Sequence, residues 1–166
     1  GTTTDLALIQ AGNVTISETG ASVSGYKTSV KAANLLSIGL GGDSHISVDR
    51  ENNIVIGPER VVPLAYLAHQ HPEIQIRLKA LTQKTWPPPT PTWLAYWFLL
   101  RDPGDDLRSF SDREKALIKI LKDGPIAIPD LVKQVNALHK NQLGADELIR
   151  REIIGKSGLT PTDLLH

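Results

Sequence analysis

The chain has 166 residues, and its 18 Lys and Arg residues balance its 18 Asp and Glu residues, so its formal net charge is zero. A balanced charge gives no general electrostatic attraction to nucleic acids or to anionic membranes, and we expect neither as a partner. The chain contains no cysteine, which excludes disulfides and thiolate metal sites and is compatible with the cytoplasm, where we expect the protein to be.

The first five residues read Gly-Thr-Thr-Thr-Asp and lead directly into an apolar strand. A glycine lets the backbone approach an anion closely, and hydroxyls and successive backbone N–H groups can donate to phosphate oxygens. The pattern is compatible with a phosphate-binding turn formed by Gly1, Thr2, Thr3 and Thr4, with Asp5 holding Mg²⁺ through water. From the residues alone, however, an ordinary threonine-rich entry into an edge strand is the more common meaning of such a stretch.

A second glycine-rich segment lies between a short apolar strand and an alternating strand. A loop of this kind marks a place where a ligand or another backbone comes close. Gly41, Gly42, Asp43 and Ser44 are therefore candidates for a loop that faces a nucleotide or substrate. Between the two glycine segments, residues 11–13 predict a hairpin turn, because Gly and Asn tolerate positive φ angles.

A metal site is the other reading of the strand that follows this loop. Asp43, His45 and Asp49 could share one of its faces, as alternating residues do. Mg²⁺ prefers oxygen ligands, however, and a lone histidine on a strand is more often structural. We therefore expect no metal at His45.

The middle of the chain is predicted to change from strands to helices. Residues 61–82 have a helical pattern that is interrupted at His71 and Pro72, since proline disfavours helix at the residue before it. Residues 86–91 predict a stiff, polyproline-like connector. The aromatic run at residues 93–100 favours a buried strand over a short helix.

The last third predicts three short helices. Ser111 and Glu114 form a capping box for the first helix, and Pro129 fits the first turn of the second. A third helix is expected at residues 145–153, followed by a small wing or hairpin at residues 154–159. The predicted core of this unit consists of apolar residues at helical spacing. These are Leu117, Ile120, Leu121, Leu131, Val135, Leu148 and Ile149.

A winged-helix-like unit raises the question of DNA binding. Arg150, Arg151 and Lys156 would form its basic surface, but the same stretch carries carboxylates that repel phosphates. We therefore expect a helical region that packs on its own protein or on a protein partner, with nucleic acid disfavoured.

Several segments, taken in order, resemble the hydantoinase/oxoprolinase family. The resemblance rests on GTTTDLALI at residues 1–9, VSGYK at 23–27, SIGLGGDS at 37–44, IVIGPE at 54–59 and GLTPTDLLH at 158–166. The chain departs from the larger enzymes at Asp43, where they have glycine. It also departs at residues 60–68, which read as a helix in place of a glycine- and proline-rich stretch.

The resemblance implies an actin-like ATPase core in which residues 1–5 are half of a phosphate-binding hairpin loop. Family loops usually begin with Asp-x-Gly, which is missing here, and we expect the chain to be a piece of a longer protein. Members of the family use ATP to open cyclic amides. The resemblance therefore implies ATP and Mg²⁺ as cofactors, Asp5 as the catalytic residue that orients Mg²⁺, and a small cyclic amide as substrate. The expected partners are the remaining domains of the parent chain, and a second subunit stays open.

These observations predict an α+β protein with a partial actin-like ATPase (ribonuclease H-like) β-rich core followed by a small winged-helix-like three-helix region. The predicted divisions are residues 1–85 for the partial core, 86–92 for a Pro-rich linker, 93–110 for a hydrophobic connecting segment, 111–159 for the helical region and 160–166 for the start of a further family segment. The predicted function is that of a fragment of an ATP-dependent cyclic amide hydrolase, inactive in isolation. The alternative is a non-catalytic interaction or regulatory module whose helical region binds a protein partner or DNA.

Overall fold

The structure is a computed structural model, and it describes most of the chain. The residues described are 4–7, 9–14, 16–17, 22–23, 26–27, 32–33, 35–49, 51–85, 90–104 and 107–165. The strands are β1 (Thr4–Ala7), β2 (Ile9–Gln10), β3 (Asn13–Val14), β4 (Ile16–Ser17), β5 (Ser22–Val23), β6 (Tyr26–Lys27), β7 (Ala32–Ala33), β8 (Leu35–Ile38), β9 (Ser44–Val48), β10 (Ile54–Arg60), β11 (Val62–Pro63), β12 (Tyr96–Leu99), β13 (Ile126–Ala127) and β14 (Ile154–Gly158). The helices are α1 (Leu64–Gln70), α2 (Pro72–Thr82), α3 (Asp112–Lys122), α4 (Ile128–Gln134), α5 (Asp146–Arg150) and α6 (Pro161–Leu165), with 3-10 turns at Pro91–Leu94 and Lys140–Gln142.

The N-terminal strands form small antiparallel pairs. β1 pairs with β8, so that Thr4 lies opposite Ile38. β2 and β3 form a hairpin whose turn residues, Ala11 and Gly12, have φ angles of 50° and 80°. This confirms the predicted turn. β4 pairs with β7, β5 with β6 and β9 with β10.

A four-stranded sheet with the strand order β11-β14-β12-β13 organises the rest of the described chain. Successive side chains of a strand point to opposite faces, and β12 shows this clearly. Trp97 packs in a cluster with α3, α4 and α5, whereas Tyr96 packs in a second cluster with α1 and α2. The sheet therefore has helices on both faces, and the mixture of helices and strands is consistent with the α+β class.

The larger apolar cluster lies on the α3–α5 side of the sheet. Its buried members are Trp97, Phe110, Leu117, Ile118, Leu121, Ile128, Leu131, Leu143, Ala145, Leu148, Ile153 and Ile154. Four of the seven predicted core residues, Leu117, Leu121, Leu131 and Leu148, are among them. The other three, Ile120, Val135 and Ile149, are partly buried against the cluster. The pattern therefore located this core, but it missed Ile118, which is fully buried.

Local signals placed the helix ends well in two cases. α1 ends at Gln70 and α2 begins at Pro72, so the predicted break at His71 is confirmed. The Ser111 hydroxyl accepts a hydrogen bond from Glu114 N at 3.3 Å, and the Glu114 carboxylate accepts one from Ser111 N at 2.7 Å. This is the predicted capping box of α3.

Two elements differ from the sequence-based prediction. Residues 60–68 are not helical throughout, because β10 runs to Arg60 and α1 begins only at Leu64. The third helix of the C-terminal region ends at Arg150, shortly before Glu152, whose φ angle is 53°. A residue in this left-handed region cannot continue a right-handed helix.

A winged-helix arrangement is not confirmed. β14, which was expected to belong to a wing or hairpin, runs antiparallel to β12 and parallel to β11. Phe98 lies opposite Gly155, and its ring occupies the space that a side chain at Gly155 would fill.

Within the described residues, no helix is both long and apolar enough to cross a membrane.

Candidate functional site

Thr4, at the start of β1, contacts the residue that precedes the glycine loop, which we define as residues 41–44. Thr4 Oγ1 donates a hydrogen bond to the carbonyl oxygen of Leu40 at 2.9 Å. Asp5 lies in β1 opposite Ser37. The other predicted phosphate-binding residues, Gly1, Thr2 and Thr3, lie outside the described residues. The described end of the first segment therefore contacts the residue that enters the second.

Ser44 closes the glycine loop on itself. Its hydroxyl accepts a hydrogen bond from Gly41 N at 2.8 Å, and its own N–H donates to the Gly41 carbonyl at 3.1 Å. Ser44 is buried. Its hydroxyl thus stabilises the loop from inside, and the predicted role of the loop beside a nucleotide or substrate stays a prediction.

Gly42 is held by a residue near the other end of the sequence. Its carbonyl oxygen accepts hydrogen bonds from Thr162 N at 3.0 Å and from Thr162 Oγ1 at 2.7 Å. A Cβ at Gly42 would lie 2.8 Å from Thr162 Oγ1, so the close approach requires a glycine. Sequence reasoning noted the segment that contains Thr162 but did not identify Thr162 as a contact of the loop.

Asp163 fixes the turn that carries Thr162. One carboxylate oxygen, Oδ2, accepts hydrogen bonds from Thr160 N at 2.7 Å and from Thr160 Oγ1 at 2.8 Å. The other, Oδ1, accepts from Ala65 N at 2.7 Å, which satisfies one of the free N–H groups in the first turn of α1. Thr160 is completely buried. The carboxylate therefore joins residues 160–163 to the start of α1.

Asp43 forms an ion pair at the exposed side of the loop. Its carboxylate accepts a hydrogen bond from Arg60 Nε at 2.7 Å, and this contact lowers the pKa of Asp43 below its ordinary value. The carbonyl oxygen of Asp43 accepts from Val61 N at 3.0 Å. The negative charge of the loop is thus paired with a neighbouring guanidinium.

His45, Glu59 and Lys156 form a second charged cluster beside the loop. His45 Nδ1 lies 3.5 Å from Glu59 Oε2, and Lys156 Nζ lies 2.7 Å from Glu59 Oε1. The hydrogen bond with His45, followed by that with Lys156, lowers the pKa of Glu59 to about 2. The His45 ring also packs against Gly158, where a Cβ would lie 2.8 Å from its Cδ2 atom.

The three residues considered as a metal site, Asp43, His45 and Asp49, each contact a different partner. Asp43 pairs with Arg60 and His45 with Glu59. Asp49 accepts hydrogen bonds from the N–H groups of its own turn. Among the described residues there is no group of three His, Cys, Asp or Glu side chains arranged to hold a metal ion.

Two cavities adjoin this region. A cleft of about 370 Å³ lies beside the loop, and its wall includes Asp43, Arg60, Phe98 and Lys156. A larger, mainly apolar cavity of about 600 Å³ extends from His45 and Ile46 to α2. The smaller cleft is the one that brings charged side chains next to the glycine loop.

Comparison with known families gives one match. Residues 1–66 match the hydantoinase/oxoprolinase family model. The matched segment contains the threonine-rich residues 1–5, the glycine loop and the ionisable side chains of His45 and Glu59. It ends in α1, and the Thr162 contact lies outside it. Neither the comparison with curated proteins nor the comparison with solved structures found a match. The family match supports the resemblance on which the functional reading rests.

Proposed function

We propose that this chain is a piece of an ATP-dependent hydrolase of the hydantoinase/oxoprolinase type, to which it contributes phosphate-binding loops of an actin-like nucleotide cleft. The observation that carries the proposal is the family match over residues 1–66, which includes the threonine-rich residues 1–5 and the glycine loop. The contact between Thr4 and Leu40 supports it, because it joins the described end of the first segment to the residue before the glycine loop. The substrate class that we propose is a cyclic amide.

In this proposal the ligand of the glycine loop is an anion. Each carbonyl from Leu40 to Asp43 already accepts a hydrogen bond: from Thr4 Oγ1, from Ser44 N, from Thr162 and from Val61 N, in that order. These oxygens therefore already have protein donors, which partly offset their negative potential. The charge of Asp43 is paired with Arg60. At Gly42 the space that a Cβ would fill is taken by Thr162 Oγ1, so in this proposal the phosphate approaches the loop from another side, through backbone N–H groups.

In this proposal each residue has a role that follows from its chemistry. Gly1, Thr2, Thr3 and Thr4 donate hydrogen bonds to nucleotide phosphates, and Asp5 orients Mg²⁺ through water. Mg²⁺ supplies positive charge for the phosphoryl group. Phosphorylation turns an amide oxygen, a poor leaving group, into a good one, so the main task of the protein is positioning and charge stabilisation. The loop at residues 41–44 forms a second wall of the site.

The test is phosphate release from Mg²⁺-ATP by a longer protein that carries this chain and the other side of the cleft. We expect release to depend on an added cyclic amide, and Asp5→Ala to lower turnover at least about tenfold, as expected for loss of a transition-state charge contact. Asp49→Ala is the matched control, because Asp49 only accepts hydrogen bonds within its own turn. Unchanged turnover in Asp5→Ala would contradict the role of Asp5. The isolated chain is expected to bind ATP weakly.

The alternative, a DNA-binding regulatory module, has less support. Arg150 is paired with Glu147, and Lys156 with Glu59. Arg151 lies over the Phe110 ring, 4.5 Å from its centroid. A DNA titration at low and moderate salt distinguishes the two readings. Submicromolar, salt-sensitive binding that is lost in Arg150→Ala and Arg151→Ala would favour the regulator.

A further inference from the structure

The glycine loop is clamped between two distant parts of the chain. On one side Thr4 donates to the carbonyl oxygen of Leu40 at 2.9 Å. On the other side Thr162 donates twice to the Gly42 carbonyl, through its N–H at 3.0 Å and its hydroxyl at 2.7 Å. Leu40 and Gly42 are only two residues apart, so the hydrogen bonds from Thr4 and from Thr162 hold the same short stretch of backbone.

Residues 160–163, at the start of α6, form the base of this clamp. Asp163 accepts hydrogen bonds from both the N–H and the hydroxyl of Thr160 and from the first turn of α1. Just before the turn, the Leu159 carbonyl accepts from Ile46 N at 2.7 Å, which ties the same segment to β9. The base is therefore attached to the strand that follows the loop as well as to α1.

We infer that Thr162 is a positioning residue, which holds Gly42 so that the glycine loop keeps its place beside Thr4 and the phosphate-binding segment. The ligand in this inference, a nucleotide phosphate, rests on the proposed function. Thr162 acts through the backbone of Gly42 and not on the ligand. The contact also depends on the absence of a side chain at Gly42, because a Cβ there would lie 2.8 Å from Thr162 Oγ1.

The first test measures the loop itself and needs no ligand. In the whole chain, Thr162→Val removes the hydroxyl donor but keeps the shape and the N–H. Amide hydrogen exchange within residues 39–46 should become about fivefold faster, which is the scale for loss of one intramolecular hydrogen bond. Exchange in α3 should not change. Thr162→Ser should restore the wild-type rate, and Thr92→Val, which removes an exposed hydroxyl hydrogen-bonded to Thr90, should have no effect on the loop.

The second test uses turnover by the longer protein. Thr162→Val should raise the KM for ATP about fivefold with a smaller change in kcat, and Thr162→Ser should recover the KM. If the wild-type protein does not use ATP, the proposed function is refuted. The hydrogen-exchange result alone would then test whether Thr162 holds the glycine loop in place. Unchanged exchange at residues 39–46 overturns the inference. So does faster exchange with an unchanged KM in a wild-type-active protein, because Thr162 would then be structural only.

Discussion

Most of the buried core of this molecule lies outside the segment that matches a family. In the described part of residues 1–66, large apolar side chains such as Ile16 and Ile54 are exposed, Ile54 by 73%. In α3, by contrast, Leu117 and Ile118 are completely buried. Apart from β11, the described strands of the matched segment form small pairs, whereas β12 lies in a four-stranded sheet with apolar clusters on both faces.

The difference indicates that the candidate site depends on packing supplied from elsewhere in the chain. The glycine loop is held by Thr162, by its own Ser44 and by Thr4, and only the last two belong to the matched segment. Buried apolar area is the main source of folding free energy, and it is concentrated around α3. Substitutions in the two regions should therefore have different consequences: large losses of stability around α3, and local rearrangement at the loop.

The largest expected effect is in the α3 core. Leu117→Ala should lower the free energy of unfolding by about 3–5 kcal/mol, because it leaves a cavity at a completely buried position. Ile120→Ala, on the same helix but only partly buried, should cost less, about 1–2 kcal/mol for a partly exposed position. Urea denaturation of both variants measures the difference. Equal losses in the free energy of unfolding would contradict the expectation that the more buried residue of α3 contributes more to stability.

The next largest effect is expected at Gly57, in the matched segment. Gly57 has a φ angle of 67°, and a Cβ there would lie 2.5 Å from the Gly39 carbonyl oxygen. Gly57→Ala should therefore cost at least about 2 kcal/mol from backbone strain and the clash. Gly104→Ala is the matched control, because Gly104 has a φ angle of 76° but open space around it. If the two variants lose the same stability, the approach of Gly57 to Gly39 does not matter.

Local chemistry predicted the elements whose signals lie within a few residues. The break at His71 follows from Pro72, and the start of α3 follows from Ser111 and Glu114. The strand at Tyr96–Leu99 follows from its aromatic side chains. These signals act through backbone preference and through hydrogen bonds to near neighbours, so one sequence is enough to read them.

Contacts between distant residues could not be predicted in this way. Nothing in the local pattern of β14 indicates that it lies between β11 and β12. Likewise, Thr162 and Gly42 are 120 positions apart, and their hydrogen bond depends on how α1, β9 and the last turn pack together. The sequence thus pointed to the glycine loop, but not to the residue that holds it.

Substitution of Asp163 tests how the start of α6 is attached to α1, and we expect an intermediate loss in the free energy of unfolding. Asp163→Ala removes the acceptor for Thr160 and for Ala65 N, and should cost about 1–2 kcal/mol, the range for loss of a helix cap. Asp163→Asn keeps one acceptor oxygen and should cost less. Denaturation combined with exchange in residues 64–67 measures both effects. A loss in Asp163→Ala without faster exchange at α1 would contradict the capping role.

The smallest expected effect is the contribution of Glu59 to stability at low pH. Its pKa is lowered from 4.5 to about 2, first by His45 and then by Lys156, while desolvation opposes the shift. A carboxyl group with a lower pKa in the folded state stabilises the fold above pH 4.5, and this contribution is lost as the pH falls towards 2. Because the Glu59 side chain is 42% exposed, solvent screening reduces the gain to about 1 kcal/mol. The free energy of unfolding of the wild type should therefore fall by about 1 kcal/mol more than that of Glu59→Gln between pH 5 and pH 2. Parallel curves for the two proteins would show that the cluster beside the glycine loop does not contribute to folding.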